Sequence, residues 1–436
     1  METGSSGSGP ARRVVARLDE LALLSQEEGR LTRTYLSDAH RRAVDLVAGW
    51  MRDAGMSVRL DVAATLIGRY DTGSDTSSGR RTLLLGSHLD TVRDAGRYDG
   101  MLGVVAAIEA VHELAREEEQ LPFAIEVLAF GDEEGVRFPR TLTGSRAAAG
   151  AITADDLEAC DADGITLAGA LRGFGCDPDR IAEAARKPED LVGYVELHIE
   201  QGRVLQTAGR ALGAVSGISG AVRSRFVIVG EAGHAGTTAM DDRRDALTCA
   251  AEMILAIERR AAETDDLVMT VGTLEVAEAG VNVVPGKVEF SLDLRALDDA
   301  LRRQAYEAAV AECEAIATRR GLRMREDRFY DEASVLCEPA LMTALKETLS
   351  RLGDEAALSI PSMAGHDGLA MAQICPMAML FVRCRDGVSH SPNEHVDLED
   401  IAASVEALTD FIRQTARDAR AAKARRMAAI GALGAS

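Results

Sequence analysis

No stretch of this 436-residue chain is apolar for long enough to cross a bilayer, so a membrane span is not expected. Cysteine is sparse and shows no pairing pattern. Cys160, Cys176, Cys249, Cys313, Cys337, Cys375 and Cys384 are scattered, odd in number and include no CxxC pair, which argues against a disulfide framework and fits a reducing compartment. The opening residues 1–10, METGSSGSGP, have neither a basic start nor an apolar centre. They are expected to form a flexible tail rather than a secretory signal or transit peptide, and the cytoplasm is the expected location. Positive charge is short as well: 49 Lys plus Arg stand against 70 Asp plus Glu, a net charge of −21. A surface that negative repels nucleic-acid phosphates and anionic lipids, so neither nucleic acid nor membrane is an expected partner. An anionic substrate would need a local basic clamp. The basic start of the terminal KARRMAAIGALGAS reads as solvated decoration.

What is present is a chain of ordinary globular composition, 47% apolar and 27% charged, long enough for two or three domains. Apolar residues at helical spacing over 36–54 predict a helix that opens a domain. SVRLDVAATLIGRY and RTLLLGSHLD read as strands, parted by the loop DTGSDTSSGRR. Helix and strand then alternate through GMLGVVAAIEAVHELAREEE, FAIEVLAFGDEEG and YVELHIEQGRVLQ, which predicts an α/β domain with a mostly parallel sheet flanked by helices. Residues 151–188 are mixed, with short helical pieces at ITADDLEA and DPDRIAEAARK, and should wrap the outside. From residue 213 the order becomes strand, helix, strand, strand, helix, strand, a βαββαβ α+β unit able to fold by itself. After residue 332 the helix–strand–helix pattern returns. The expected organisation is therefore a first domain from 11–212 and 332–420, with a ferredoxin-like domain inserted at 213–331.

Five of the eight histidines, His88, His198, His234, His366 and His390, fall in dense polar motifs at predicted strand ends, where α/β sheets build their sites. In GSHLDTVRDAGRYDG a buried strand delivers His88 and Asp90, and a turn then presents Asp99. Such a histidine suits a metal ligand held in one tautomer. HxD alone would more simply be a histidine hydrogen-bonded in a loop. In FGDEEGVRF the adjacent Glu133 and Glu134 must point in different directions, so one can bind metal while the other handles a proton. YVELHIEQG places Glu196 and His198 on one strand face, followed by Glu200 and Gln201 at a turn. In DGVSHSPNEH either His390 or His395 could be a ligand on spacing alone. Mixed nitrogen and oxygen donors without cysteine suit Zn²⁺ or Mn²⁺.

Taken together, GSHLDTV, GRYDGMLGVVAAIEA, DEEGVRF, VELHIEQG, EAGHAGTT, NVVPGKVEFSLDLRA, AGHDG and GVSHSPNE are spread over nearly all of the chain after residue 10. In this order they resemble the metal-dependent amidase, hydantoinase and carbamoylase branch of the M20 peptidase family. That resemblance implies that His88, Asp99, Glu134, His198 and His390 hold two divalent ions, with Asp99 shared. Asp90 would orient His88, and Glu133 would be the general base. Asn282 and Arg295 would clamp a substrate carboxylate, while Gln201, His234, Gly365 and His366 would contact substrate or oxyanion. The simpler but less favoured alternatives are that Arg295 ends a strand in a salt bridge and that His234 caps a loop. The inserted domain would be a lid and dimerisation module, implying a homodimer.

The string MLFVRCRDGVSHSPNEHV resembles allantoate amidohydrolases, especially those of plants, which makes allantoate the first expected substrate. An N-carbamoyl-L-amino acid hydrolase, a β-ureidopropionase or a dipeptidase are the alternatives of the same class. A non-catalytic metal-binding assembly protein is the alternative of another class. Arg203, Ala239 and Gly368 depart from the residues usual in the family at those positions.

Overall fold

The computed structural model describes residues 8–72 and 80–433, with side chains over 9–72 and 80–425. The core of the expected loop DTGSDTSSGRR, residues 73–79, lies outside them, as do residues 1–7 and the side chains beyond 425. The chain forms two compact units, Met1–Ser216 with Cys337–Ser436, and Gly217–Leu336.

Residues 8–10, expected to belong to a flexible tail, instead open helix α1, which spans Ser8–Ala22. Ala11, Val14, Leu18 and Leu21 lie on one stripe at helical spacing and are at most 1% exposed, so burial of that stripe fixes the helix. Helix α2, Asp38–Asp53, is the one read over 36–54, and Ser37 caps it by accepting the His40 N–H.

Strands β1 (Ser57–Leu60), β2 (Leu66–Tyr70), β3 (Thr82–His88), β4 (Ala124–Phe130) and β5 (Leu191–Ile199) join Met377–Val382 and Leu212–Ile218 in one sheet. The order is β1, β2, β4, β3, β5, then 377–382, 212–218 and 335–336. The four central strands β4, β3, β5 and Met377–Val382 run parallel, as the alternating pattern implied. Antiparallel strands flank them on both sides. Every residue of β3, β4 and Met377–Val382 is buried.

Helix α3, Met101–Arg116, is apolar almost all round because it lies between the sheet, on β3 and β5, and helices α1 and Leu398–Leu433. Gly103 allows the close approach: a Cβ there would stand 2.2 Å from the Leu197 carbonyl. Glu109, buried on α3, is answered by Arg13 and Arg17 of α1 at 2.6 and 3.1 Å. DPDRIAEAARK forms 3-10 turns, Pro178–Ala184, rather than an α-helix.

The second unit has the order strand Gly220–Val229, helix Ala246–Ala262, strands Leu267–Thr270, Leu274–Val276 and Lys287–Ala296, helix Asp299–Arg319 and strand Arg323–Glu332. Its sheet is antiparallel, with Lys287–Ala296 and Gly220–Val229 at the centre. Val288, Phe290, Leu292 and Leu294 alternate inward against both helices, and Phe226 stacks on Phe290 at 5.0 Å.

Candidate metal centre and active site

The parallel register explains why residues far apart in sequence meet. His88 of β3 pairs with Phe130 of β4, and His198 of β5 pairs with Phe381. The strands therefore end level, and the segments after them, 89–100, 131–135, 200–203 and 383–396, crowd one carboxyl edge.

At that edge His88, Asp99 and His198 form one group with ligand atoms within 4.8 Å of one another. Asp99, Glu134 and His390 form a second. Asp99 belongs to both, and its two oxygens divide the work. Oδ1 lies 3.1 Å from His198 Nε2 and 3.7 Å from His88 Nε2, while Oδ2 lies 3.3 Å from His390 Nε2. Glu134 reaches His390 Nε2 at 3.5 Å, and Glu133 reaches His88 Nε2 at 3.8 Å. Glu133 is thus within ligand reach of His88 and Glu134 as well. His395, the other histidine of the SHSPNEH loop, pairs with Asp397 at 3.2 Å instead.

Both strand-end rings are anchored by main-chain carbonyls. His88 Nδ1 is 2.9 Å from the Asp90 carbonyl oxygen and His198 Nδ1 is 3.0 Å from that of Ile199. With Nδ1–H donating, each Nε2 is left facing Asp99, where it can hold either a proton or a metal ion. It is therefore the Asp90 backbone that holds His88, whereas the Asp90 carboxylate stands 3.8 Å from the ring. That carboxylate instead accepts the Glu133 and Glu134 amides at 3.2 and 3.3 Å, fixing the turn that presents both acids. Gly100 completes the cradle at φ 72°, since a Cβ there would lie 2.4 Å from the His88 ring.

These residues fit divalent ions. His198 Nε2 is buried and close to Asp99 Oδ1, yet lacks the alignment of a hydrogen bond. That is the geometry of two donors facing a common third atom, and a nitrogen–oxygen set without thiolate suits zinc or manganese. The charges are mutually dependent. Burial opposes ionisation of Asp99, but the facing histidines His198, His390 and His88 outweigh it and hold its carboxyl well below the usual range. Burial pushes Glu133 well above the ordinary carboxylate range; His88 opposes this, while Glu134, Asp367 and Asp90 add to it. A carboxylate that holds a proton this readily suits a group that takes one up and returns it.

The remaining expected contacts are placed differently. Gln201 Nε2 donates to Asp99 Oδ2 at 2.8 Å and to Ser389 Oγ at 3.2 Å, so its amide braces the shared carboxylate. His366 is 1% exposed, edge-on to His198 at 4.4 Å, with Nε2 on Ser362 Oγ at 2.7 Å. Gly365 beside it is exposed. His234 pairs with Val283 in a two-stranded sheet of the second unit, and just beyond that pair the Ala235 amide donates to the Asn282 carbonyl. His234 Nδ1 also accepts the Gly236 amide at 3.1 Å, a loop-capping contact. Arg295, in the same unit, donates from Nε to Asp293 at 2.7 Å, two residues along its strand. Glu200 accepts the Val204 and Leu205 amides at 2.6 and 3.0 Å and so caps the helix Val204–Ala208. Arg203 donates to the Asp386 carbonyl, and the Gly368 amide donates to Glu196 at 3.0 Å.

Sequence reasoning missed Ser389 and Glu394. Both lie inside the GVSHSPNE string, but an acid in a polar loop gives no sign that it is buried, and Glu394 is 3% exposed.

The model of Peptidase family M20/M25/M40 matches residues 84–414. The chain belongs to the M20 peptidase family. It is 45% identical over 406 residues to an N-carbamoyl-L-amino acid amidohydrolase of Geobacillus stearothermophilus, covering 93% of this chain and 98% of that one. It is 39% identical to an allantoate deiminase of Arabidopsis thaliana, over 91% of this chain and 81% of the other. Its fold matches the crystal structure of an amidase of the hydantoinase/carbamoylase family from Burkholderia multivorans, with a TM-score of 0.84, 30% identity and 93% and 98% coverage. As a member of this family the chain is a hydrolase, and its strand-edge cluster is a group of residues that could hold metal.

Proposed function

We propose that this M20 hydrolase cleaves the carbamoyl group of a small ureido acid, using two divalent ions held by His88, Asp99, Glu134, His198 and His390. The observation that carries the reading is the divided Asp99 carboxylate, with one oxygen toward His88 and His198 and the other toward His390. When bound, zinc or manganese ions would act as Lewis acids toward a carbonyl oxygen and water. Glu133 accepts a proton from the attacking water at its carboxylate and passes it to the departing nitrogen. Asp90 keeps Glu133 and Glu134 in their separate directions by holding both amides. Gln201 keeps the Asp99 carboxylate from rotating.

From the second unit, His234 would donate to the developing oxyanion, and Asn282 and Arg295 would take the substrate carboxylate, as the family resemblance implies. A bidentate guanidinium suits that carboxylate and answers the net charge of −21. For Arg295 the carboxylate would have to compete with Asp293. His366 and Gly365 would contact substrate or oxyanion as well, on the same resemblance. The second unit is read as lid and dimerisation module of a homodimer. The seven cysteines, all free, fit work in the reducing cytoplasm.

Two substrates fit this chemistry. The string from Met379 to Val396 favours allantoate, giving ureidoglycine, ammonia and carbon dioxide. The 45% identity to a relative named for N-carbamoyl-L-amino acids favours those compounds. Ammonia release from allantoate, N-carbamoyl-L-amino acids and 3-ureidopropionate, and amino-acid release from dipeptides, measured side by side with added Mn²⁺ or Zn²⁺, separate them. Turnover of dipeptides alone would overturn the ureido reading.

A further inference from the structure

In the proposed site one Asp99 oxygen faces His88 and His198 and the other faces His390, and a carboxylate free to turn about its Cβ–Cγ bond would not keep that division. The chain contains a device that fixes it, built from the loop that follows strand Met377–Val382. Glu394 Oε1 accepts the Tyr98 and Asp99 amides at 2.6 and 3.0 Å, tying down the backbone from which the Asp99 side chain departs. Ser389 Oγ donates to Asp99 Oδ2 at 2.5 Å and also lies 3.4 Å from Glu394 Oε2. Gln201 Nε2 meets the same Oδ2 at 2.8 Å. Both neutral donors therefore load the oxygen that faces His390, while Oδ1 is turned to His88 and His198. Gly96 leaves no room for the brace to shift, because a Cβ at that position would be 2.4 Å from Glu394.

Burying Glu394 in a loop whose neighbours Pro392 and Asn393 are exposed is costly for an acid. A merely loop-closing residue would not need to stand beside a second carboxylate. We propose that Glu394 is a positioning residue that, with Ser389, locks the orientation of Asp99 and thereby couples the His390 loop to the His88 edge. Groups that orient ligands in this way typically contribute about 10- to 100-fold in metal affinity or activity. The proposal rests on the reading of this cluster as the metal centre. Its mechanism is hydrogen-bond acceptance and not charge, so a glutamine at 394 should serve nearly as well.

The test uses the full chain stripped of metal and titrated calorimetrically with Zn²⁺ or Mn²⁺ alone, with kcat and KM measured beside it. Glu394→Ala is expected to bind about 10- to 100-fold more weakly and to lose kcat with KM little changed, and Ser389→Ala to shift the same way by less. Glu394→Gln is expected to bind within about threefold of the parent, as the same acceptor geometry requires. Parent-like binding by both Glu394→Ala and Ser389→Ala would overturn the proposal, and so would a Glu394→Gln loss as deep as that of Glu394→Ala. If Glu394→Ala does not fold, unchanged binding by Ser389→Ala is enough to reject it. A parent chain that takes up no metal would remove the metal-centre reading itself, and the brace with it.

Discussion

Gly100→Ala tests how tightly the His88 cradle is drawn. The new Cβ would stand 2.4 Å from His88 Cε1 and Nε2, where ordinary contact begins near 3.4 Å, so ring and turn must separate by about 1 Å. The ring has little freedom to retreat. Its Nδ1 is bound to the Asp90 carbonyl at 2.9 Å, it is 1% exposed, and His198 lies 5.8 Å away ring to ring. The backbone adds its own cost, because φ 72° and ψ −52° are strained for any residue with a side chain, on the order of 1–3 kcal/mol. A displacement of about 1 Å at a reacting centre typically lowers rate by about 100-fold, and a similar loss of kcat/KM is expected together with weaker metal retention. Gly164→Ala is the control, since Gly164 has φ 79° and nothing within 4 Å of the added carbon. It should lose about 1 kcal/mol of local stability and no activity. Parent-like kcat/KM and metal content in Gly100→Ala, measured by steady-state kinetics and elemental analysis, would refute the cradle.

Two further outcomes follow from named side chains. Glu133→Gln should keep bound metal and fold while kcat falls by about 10²- to 10⁴-fold, because an amide cannot take the proton; loss of metal instead would make Glu133 a ligand. His40 is buried, and burial followed by the charges of Arg33 and Arg41 lowers its pKa to about 3. Its unfolded value near 6.5 is higher, so the unfolded chain binds the extra proton and stability falls as pH drops from about 6.5 toward 3. At pH 5 the loss from this group is about 2 kcal/mol relative to pH 7.5. Trp50, the only tryptophan, lies on the same helix α2 and reports its unfolding by fluorescence in urea. The stability gap between parent and His40→Gln should change by that amount over the interval, and a constant gap would dismiss the linkage.

The strand-end motifs were legible because a buried parallel strand announces itself as a continuous apolar run, and TLLLGSH and VELHI carry their polar residues at its end. What spacing could not convey is which neighbour each polar atom meets. Gln201 reads in sequence as a substrate contact, and only the fold shows that its amide meets Asp99 Oδ2 at 2.8 Å. Asp90 looks like a partner for His88, but a carboxylate and a carbonyl of one residue are indistinguishable in sequence, and it is the carbonyl that bonds. Helix α1 was hidden by the Gly and Ser residues preceding it, although Ala11, Val14, Leu18 and Leu21 hold helical spacing. The second unit runs to Leu336 rather than 331 because Val335 and Leu336 pair with Ile218 and Gly217, a two-residue ladder too short to give a periodic signal.

The concentration of buried acid at the strand edge bears on why metal belongs there. Asp90, Asp99, Asp132, Glu196 and Asp367 are each no more than 4% exposed, and Glu133 and Glu134 stand among them. Asp90 and Glu196 are answered by amides and a hydroxyl, and Asp132 by Thr143. Neutral donors of this kind satisfy lone pairs without cancelling the field. Among the described residues the fully buried guanidinium of Arg33 gives its protons to the carbonyls of Leu89, Leu21 and Leu24 and to Met101 Sδ, and to no carboxylate. Around Asp99 the counter-charge within reach is histidine, which can hold either a proton or a cation at Nε2. Divalent cations that displace those protons would leave the acids ionised and Glu133 free to accept a proton. They would also give an edge of strongly negative character an attraction for the carboxylate and carbonyl oxygens of an anionic ureido acid.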